Sequence, residues 1–468
     1  MKKIFTFLLF VPFFAVAQTP CEGNMAGTFP CEGFDLMDTV SLAELETGMG
    51  NDSWGWTDPV TGTEYAIMGT RSATVFIDIS NPTDVVVIGK LPTHSSNSTW
   101  RDMKTFNDYV FVVSEADDHG MQVFDLNRLR DVTSTPVVFT EDAHYDGFGD
   151  AHNIAINEDS GFAYAIGTDT FNGGPHIVNI NDPLAPVFAG GYAGSGYSHD
   201  AQIVSYSGPD SDYEDREIFF GSNEEIVAIV DVTNKNAPVL IAEMDYSSVG
   251  YTHQGWLTED QTKFILCDEL DEVFYGFETK NIIFDVTDLD NPTFDFNYFA
   301  ETFSTDHNGY VKGDLFYLAS YRAGLRVLDI SGINAGEITE MGYFDTVPGS
   351  DAAGTGAGAW SVYPYFESGN IVVSDQDGFY LVAPSVLSTN EVSLDGFSIF
   401  PNPANDQIQI STTQEPISEV AVYSILGKQV ISQKLNGQTS ATVDISGLTR
   451  GVYLVVIDNK TTKKLIKS

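Results

Sequence analysis

Basic residues are scarce: the chain has 22 Lys and Arg against 66 Asp and Glu over 468 residues. The imbalance is concentrated in residues 18–394, with 13 basic and 60 acidic residues, a net of −47. Such a surface repels phosphate backbones and anionic headgroups, which argues against nucleic acid or bare membrane as the main partner and favours cations and neutral or basic ligands. The same charge also keeps an exported protein soluble. Cysteine is scarce too, with three in all. Cys21 and Cys31 lie close together in a Gly- and Pro-containing stretch and are expected to form a disulfide in an exported chain. Cys267 falls inside the apolar run Phe264-Ile265-Leu266-Cys267 and reads as a buried structural thiol, because no basic group near it in sequence would lower its pKa. Missing altogether are a nucleophile elbow, a Walker loop, a dinucleotide fingerprint and any sustained amphipathic helical period.

No segment approaches the roughly 20 apolar residues a transmembrane helix needs. The nearest, Ile4 to Phe14, follows Lys2 and Lys3 and precedes Ala15-Val16-Ala17, the pattern of a secretory signal cleaved after Ala17. No Cys follows the expected cut, so no lipid anchor is expected there.

A short phrase built on His or Trp recurs seven times: Trp54-Gly55-Trp56, Trp100-Arg101-Asp102, His152-Asn153-Ile154, His199-Asp200-Ala201, His253-Gln254-Gly255, His307-Asn308-Gly309 and Trp360-Ser361-Val362. Their spacings are 46, 52, 47, 54, 54 and 53 residues, close to the roughly 40–50 of a four-stranded propeller blade. Within the third repeat four short strands follow one another: His152 to Asn157, Phe162 to Gly167, His176 to Ile180 and Val187 to Tyr192. The third strands end on a recurring Asp (Asp78, Asp231, Asp285, Asp329), the residue type that caps a turn through its side-chain oxygens. The seventh repeat supplies only three strands before Pro384, and a ring must not leave an open edge, so Phe34 to Leu45 is expected to close it. The fold class is therefore all-β: a signal peptide over 1–17, a seven-bladed β-propeller over 18–384, a linker over 385–396, and a small β-sandwich of immunoglobulin-like type over 397–468.

The last domain carries Pro401, Asn402 and Pro403 after Phe400, then Leu426-Gly427-Lys428, then Gly451-Val452-Tyr453, and ends through Lys463, Lys464 and Lys467. It resembles the type A C-terminal sorting domain of the type IX secretion system. That resemblance implies handling by the type IX machinery, export across the outer membrane of a Gram-negative bacterium, and release or surface attachment. The body, through phrases such as Tyr197-Ser198-His199-Asp200-Ala201-Gln202 and Tyr251-Thr252-His253-Gln254-Gly255-Trp256, resembles the choice-of-anchor B family of LVIVD-repeat propellers. This second resemblance implies a fold and a location, and no activity.

In a propeller the start of each inner strand and the turn joining the second and third strands share one end of the channel. His152, His199, His253 and His307, with Asp200 and Asp306 beside them and Asp268, Glu269 and Arg322 on joining turns, are therefore expected to line one mouth. Imidazole and carboxylate donors are those that Zn, Mn, Fe or Ni accept, so the four His are candidate metal ligands. The plainer alternative is that they are structural and bonded to the adjacent blade. Asp268-Glu269-Leu270-Asp271-Glu272 reads as a solvated acidic turn, a divalent cation being the sharper alternative, and Arg322 could pair with its acids. The acidic insertion Gly208 to Asp215 could bind Ca²⁺, although the EF-hand order is absent. His94, His144 and His176 stand outside the pattern and are expected at the surface or in turns. The functional expectation is a secreted or surface-displayed module that binds an extracellular ligand or protein through this mouth. The alternatives are a metal-dependent hydrolase or lyase using the same mouth, and an adhesion scaffold using the rim.

Overall fold

The computed structural model describes residues 18–385 and, in the C-terminal region, 397–400, 404, 407–412, 416–424, 429–448, 451–457 and 461–467. The chain divides after Ser385 into two compact units. The expected signal segment 1–17, nearly all of the expected linker 385–396, and Pro401, Asn402 and Pro403 lie outside the described residues.

The first unit contains seven antiparallel sheets of four principal strands each. Their inner strands are Gly50–Thr57, Arg101–Phe106, Asn153–Asn157, Asp200–Ser205, Thr252–Leu257, Gly309–Lys312 and Ala359–Tyr363. Each inner strand neighbours the next, and the seventh returns to the first. Blades 1 to 7 are numbered in that order. Side chains alternate across a strand, so consecutive residues feed opposite interfaces. Phe219 packs toward blade 3 with Tyr164 and Ile177, while Phe220 packs toward blade 5 with Phe264 and Ile282. Seven apolar clusters fill the seven interfaces, the last joining Val372 and Leu381 of blade 7 to Ala66 and Val75 of blade 1. The recurring third-strand Asp residues cap their turns as their chemistry requires: Asp78 accepts the Ser80 N–H at 2.8 Å and Asp231 that of Thr233 at 2.9 Å.

Blade 7 takes its outer strand from the N-terminal side of the chain, where Phe34–Ser41 pairs along Gly378–Pro384. Residues before it do something the repeat pattern did not reveal. The hairpin Met25–Ala26/Phe29–Glu32 extends blade 6, with Cys31 paired to Phe344. Cys21 and Cys31 are bonded, with a Cα separation of 6.0 Å and a sequence separation of 10. A loop of that size is expected to stabilise the fold by about 3 kcal/mol through the entropy it removes from the unfolded chain. Replacing both cysteines by Ser should lower the melting temperature without abolishing the transition, and an unchanged melting curve would show that the hairpin is held by its strand pairing alone.

Among the described residues, the second unit has seven strands in two sheets. One contains Phe397–Phe400, Gln407–Thr412 and Ser440–Asp444; the other contains Gln429–Gln438, Ile417–Ser424, Gly451–Ile457 and Thr461–Lys467. Ile408, Ile410 and Val443 from the first sheet share a core with Val420, Val422, Val455 and Leu465 from the second. This is an immunoglobulin-like sandwich in which the fourth strand belongs to the second sheet. Tyr453, next but one to Gly451 on the third strand of that sheet, is buried, and Lys463, Lys464 and Lys467 lie on its edge strand.

Candidate functional site at the channel mouth

The four imidazoles, each a blade apart in sequence, form one arc. Ring centroids are 4.0 Å apart for His152 and His199, 4.3 Å for His199 and His253, and 4.2 Å for His253 and His307. The physical cause is register: each His occupies the position just before the first channel-facing residue of its inner strand, so closure of the ring stacks them. Three of them are also tied to their surroundings through Nδ1. His199 Nδ1–H donates to the His253 carbonyl at 3.2 Å, and His307 Nδ1–H donates to the Trp360 carbonyl at 2.5 Å. His152 Nδ1 meets Glu115 Oε1 at 2.6 Å. A ring that donates through Nδ1 leaves Nε2 as a lone pair, the tautomer a metal-ligating His takes. Bonding to the adjacent blade and availability as a ligand are thus compatible.

One donor atom each of His253, Glu269 and His307 lies within 4.8 Å of the others. His307 Nε2 and Glu269 Oε1 are 3.7 Å apart, near the roughly 3.4 Å that separates two ligands of a tetrahedral ion at about 2.0–2.1 Å bond lengths. Glu269 is oriented by Tyr321, whose hydroxyl donates to Oε1 at 2.7 Å. His253 is 2% exposed, and its Nδ1 has no partner. Burial holds three of the rings neutral, with His307 down to about 3 and His199 and His253 well below the usual imidazole range. The space among these groups is small, about 40 Å³, bounded also by Trp100, Arg101, Asn153, Asn308 and Trp360.

Several expected mouth residues lie elsewhere. Asp200 is one layer deeper, its Oδ2 accepting from Asn153 at 2.9 Å. Asp306 is turned into the wall, where Asn281 donates to it at 2.8 Å beside Cys267, whose thiol is pushed up by burial. Asp268 accepts the Gly250 and Tyr251 N–H groups and the Tyr246 hydroxyl, closing a turn rather than facing the channel. Arg322 donates to the Ala352 and Ala353 carbonyls and pairs with none of these acids. The acidic segment is not a solvated turn: Asp268, Asp271 and Glu272 are buried, and the helix Asp271–Tyr275 begins there. Its buried cation is Lys280, ion-paired with Asp271. In blade 1 the Trp54-Gly55-Trp56 phrase lies three residues beyond the opening register. Asn51-Asp52-Ser53 occupies the opening position, and Asp52 binds its own following N–H as Asp102 and Asp200 do. His176 is not at the surface: it is buried, with Tyr145 Oη at 2.8 Å. His94 stacks on His144 at 3.7 Å. At the insertion, Asp210 lies close to Asp288 and Asp290, but its oxygens accept the Leu289 and Asp212 N–H groups.

Residues 398–468 match the family described as "Secretion system C-terminal sorting domain". The protein is exported to the cell surface or beyond it. With its sorting domain at the C-terminus, it is handled by the type IX system. No helix among the described residues is long and apolar enough to cross a membrane. No curated protein matches the chain in sequence. Among solved structures, it is similar to the β-propeller domain of Myceliophteria thermophila Cps50 (Swd1), at 12% identity and TM-score 0.47, over 75% of this chain and 99% of that one. A Lactobacillus plantarum protein is similar at 12% identity and TM-score 0.45, over 84% and 98%. At that distance neither carries an argument about function.

Proposed function

We propose that this exported propeller, a choice-of-anchor B type protein that loses its signal peptide on export, is an extracellular binding module whose channel mouth holds one divalent transition-metal ion. His253, His307 and Glu269 are the ligands, with His152 and His199 flanking them. The observation that carries this reading is the convergence of two neutral imidazoles and one carboxylate within 4.8 Å, a donor set zinc accepts with a fourth position open. Manganese is the second candidate, since the set includes a carboxylate. Calcium fits poorly because imidazole is a poor match for a hard cation. A hydrolase or lyase needs room for substrate beside its ion. A space of about 40 Å³ holds roughly one water-sized species, which favours binding over catalysis.

Titrating the EDTA-treated mature chain with zinc should give one tight site per molecule, with a rise in melting temperature. His253→Ala and His307→Ala should each weaken that site by a factor of about 100 or more. Equal stoichiometry and affinity in the parent and both variants would end the proposal.

A further inference from the structure

The other end of the channel is a larger chamber. Its cavity measures about 420 Å³, within the roughly 300–1,000 Å³ of small-molecule sites. Residues two further along the inner strands than the polar layer build it. Trp54, Trp256, Tyr310 and Tyr363 come from blades 1, 5, 6 and 7, and Tyr365 follows two residues after Tyr363. Trp256 meets Tyr310 edge to face at 5.0 Å, Trp54 meets Tyr363 at 5.2 Å, and Tyr363 meets Tyr365 at 5.4 Å. Tyr310 is buried, whereas the other four rings keep part of their surface open. Four rings seated on inner strands, with Tyr365 just beyond the end of one, form a preorganised aromatic wall. The polar lining residues are Lys104, Thr105, Glu158, Asp200, Gln202 and Gln254. Gln202 accepts the Leu257 N–H at 2.8 Å, and the exposed Glu158 stands at the rim.

Charge selects among the ligands that aromatic walls admit. Lys104 is the one cationic side chain lining the chamber, and both oxygens of Asp102 hold it, at 2.8 and 3.0 Å. It is therefore not available to bind an anion. Its ammonium lies 4.6 Å from the centre of the Trp54 ring, so one aromatic face here already carries a cation, in the geometry by which ring quadrupoles attract ammonium groups. Trp256, Tyr363 and Tyr365 have no such internal partner among the described residues. The acidic body draws cations toward the opening and repels anions.

We propose that this chamber binds a small organic cation, an alkylated ammonium group seated against Trp256, Tyr363 and Tyr365 with Glu158 as its counter-charge. The site is separate from the metal site and does not depend on it, because the ring of Asp52, Asp102, Asn153, Asp200, Gln254 and Asn308 lies between the two ends of the channel.

Calorimetric titration of the mature chain with choline tests this, run beside 3,3-dimethylbutan-1-ol, its uncharged carbon isostere, and beside glucose. Choline should bind at one site, and the isostere roughly tenfold more weakly or worse, the factor a desolvated cation–π contact supplies. Trp256→Ala should abolish binding. Glu158→Gln, at an exposed position that leaves folding intact, should weaken choline roughly threefold and flatten its salt dependence. Equal binding of choline and its isostere would reduce the chamber to an apolar pocket. Binding of glucose alone would make it a sugar site. Either outcome overturns the proposal, as does an absence of binding by every probe or a Glu158→Gln variant that binds choline unchanged.

Discussion

A chain shortened to begin at Leu42 is expected to show no cooperative thermal transition, although it keeps the four principal strands of each of the first six blades. The lost segment supplies the outer strand of blade 7 through seven backbone pairings with Gly378–Pro384. Phe34 and Val40, 6% and 5% exposed, leave two different cores, the one between blades 6 and 7 and the one between blades 7 and 1. Burial of two such side chains is worth about 5 kcal/mol, comparable with the whole stability of many domains. Removing the segment also opens a sheet edge in a fold that depends on having protected ones. Adding a peptide of residues 18–41 in trans should restore a transition. Deleting only residues 18–32 should cost less, because the hairpin on blade 6 and the disulfide are lost while Phe34–Ser41 still closes the ring. A chain starting at Leu42 that melts within a few degrees of the full-length protein would refute closure by this strand.

Raising the pH from 6.5 to 9 should destabilise the metal-free propeller. Glu272 is raised to about 9, chiefly by burial and then by Asp271; Asp52 is raised to about 7 by burial and by Asp102; Asp375 is raised to about 6 by burial. A carboxyl group whose folded pKa exceeds its unfolded value of about 4 binds its proton more tightly when folded. Its contribution is present below pH 4 and is lost as the pH rises to the folded pKa. Histidine acts in the opposite sense. His119 and His176 are lowered by burial to about 3 and 4, so the unfolded chain binds their protons first and stability is lost as the pH falls from 6.5 toward those values. The two trends oppose each other between pH 4 and 6.5, and above pH 6.5 the carboxyl trend remains. The loss from Glu272 between pH 6.5 and 9 is on the order of 3 kcal/mol. Glu272→Gln keeps an oxygen for the Lys280 N–H that Glu272 Oε1 accepts at 3.0 Å and should flatten the slope. Denaturant titrations at pH 6.5, 7.5 and 9 in EDTA measure it. Parallel slopes in parent and variant would show that Glu272 is not the group responsible.

Much of this architecture could be read from residues. Strand period, the turn-capping Asp and the recurrence of His at blade spacing follow from local chemistry, and a short seventh repeat implied a borrowed strand. The deeper mistakes have one origin. Asp268, Asp306 and Arg322 sit beside mouth positions along the chain, but alternation sends neighbouring side chains to opposite faces. A one-residue difference therefore decides between channel and wall. Trp54 differs: it faces the channel as Asp52 does, two residues earlier, and its phrase resembles the other openers although Asn51-Asp52-Ser53 holds the opening register. The aromatic chamber escaped notice because Trp54, Trp256 and Tyr363 belong to three different blades, and no window of sequence contains them together.

Strand content, repeat number, acidic surface and sorting tail are properties of short stretches, and each short stretch carries its own physical cause. Which donors meet at 4.8 Å, which acids are buried and which rings share a wall depend on ring closure, which brings together side chains some fifty residues apart in sequence.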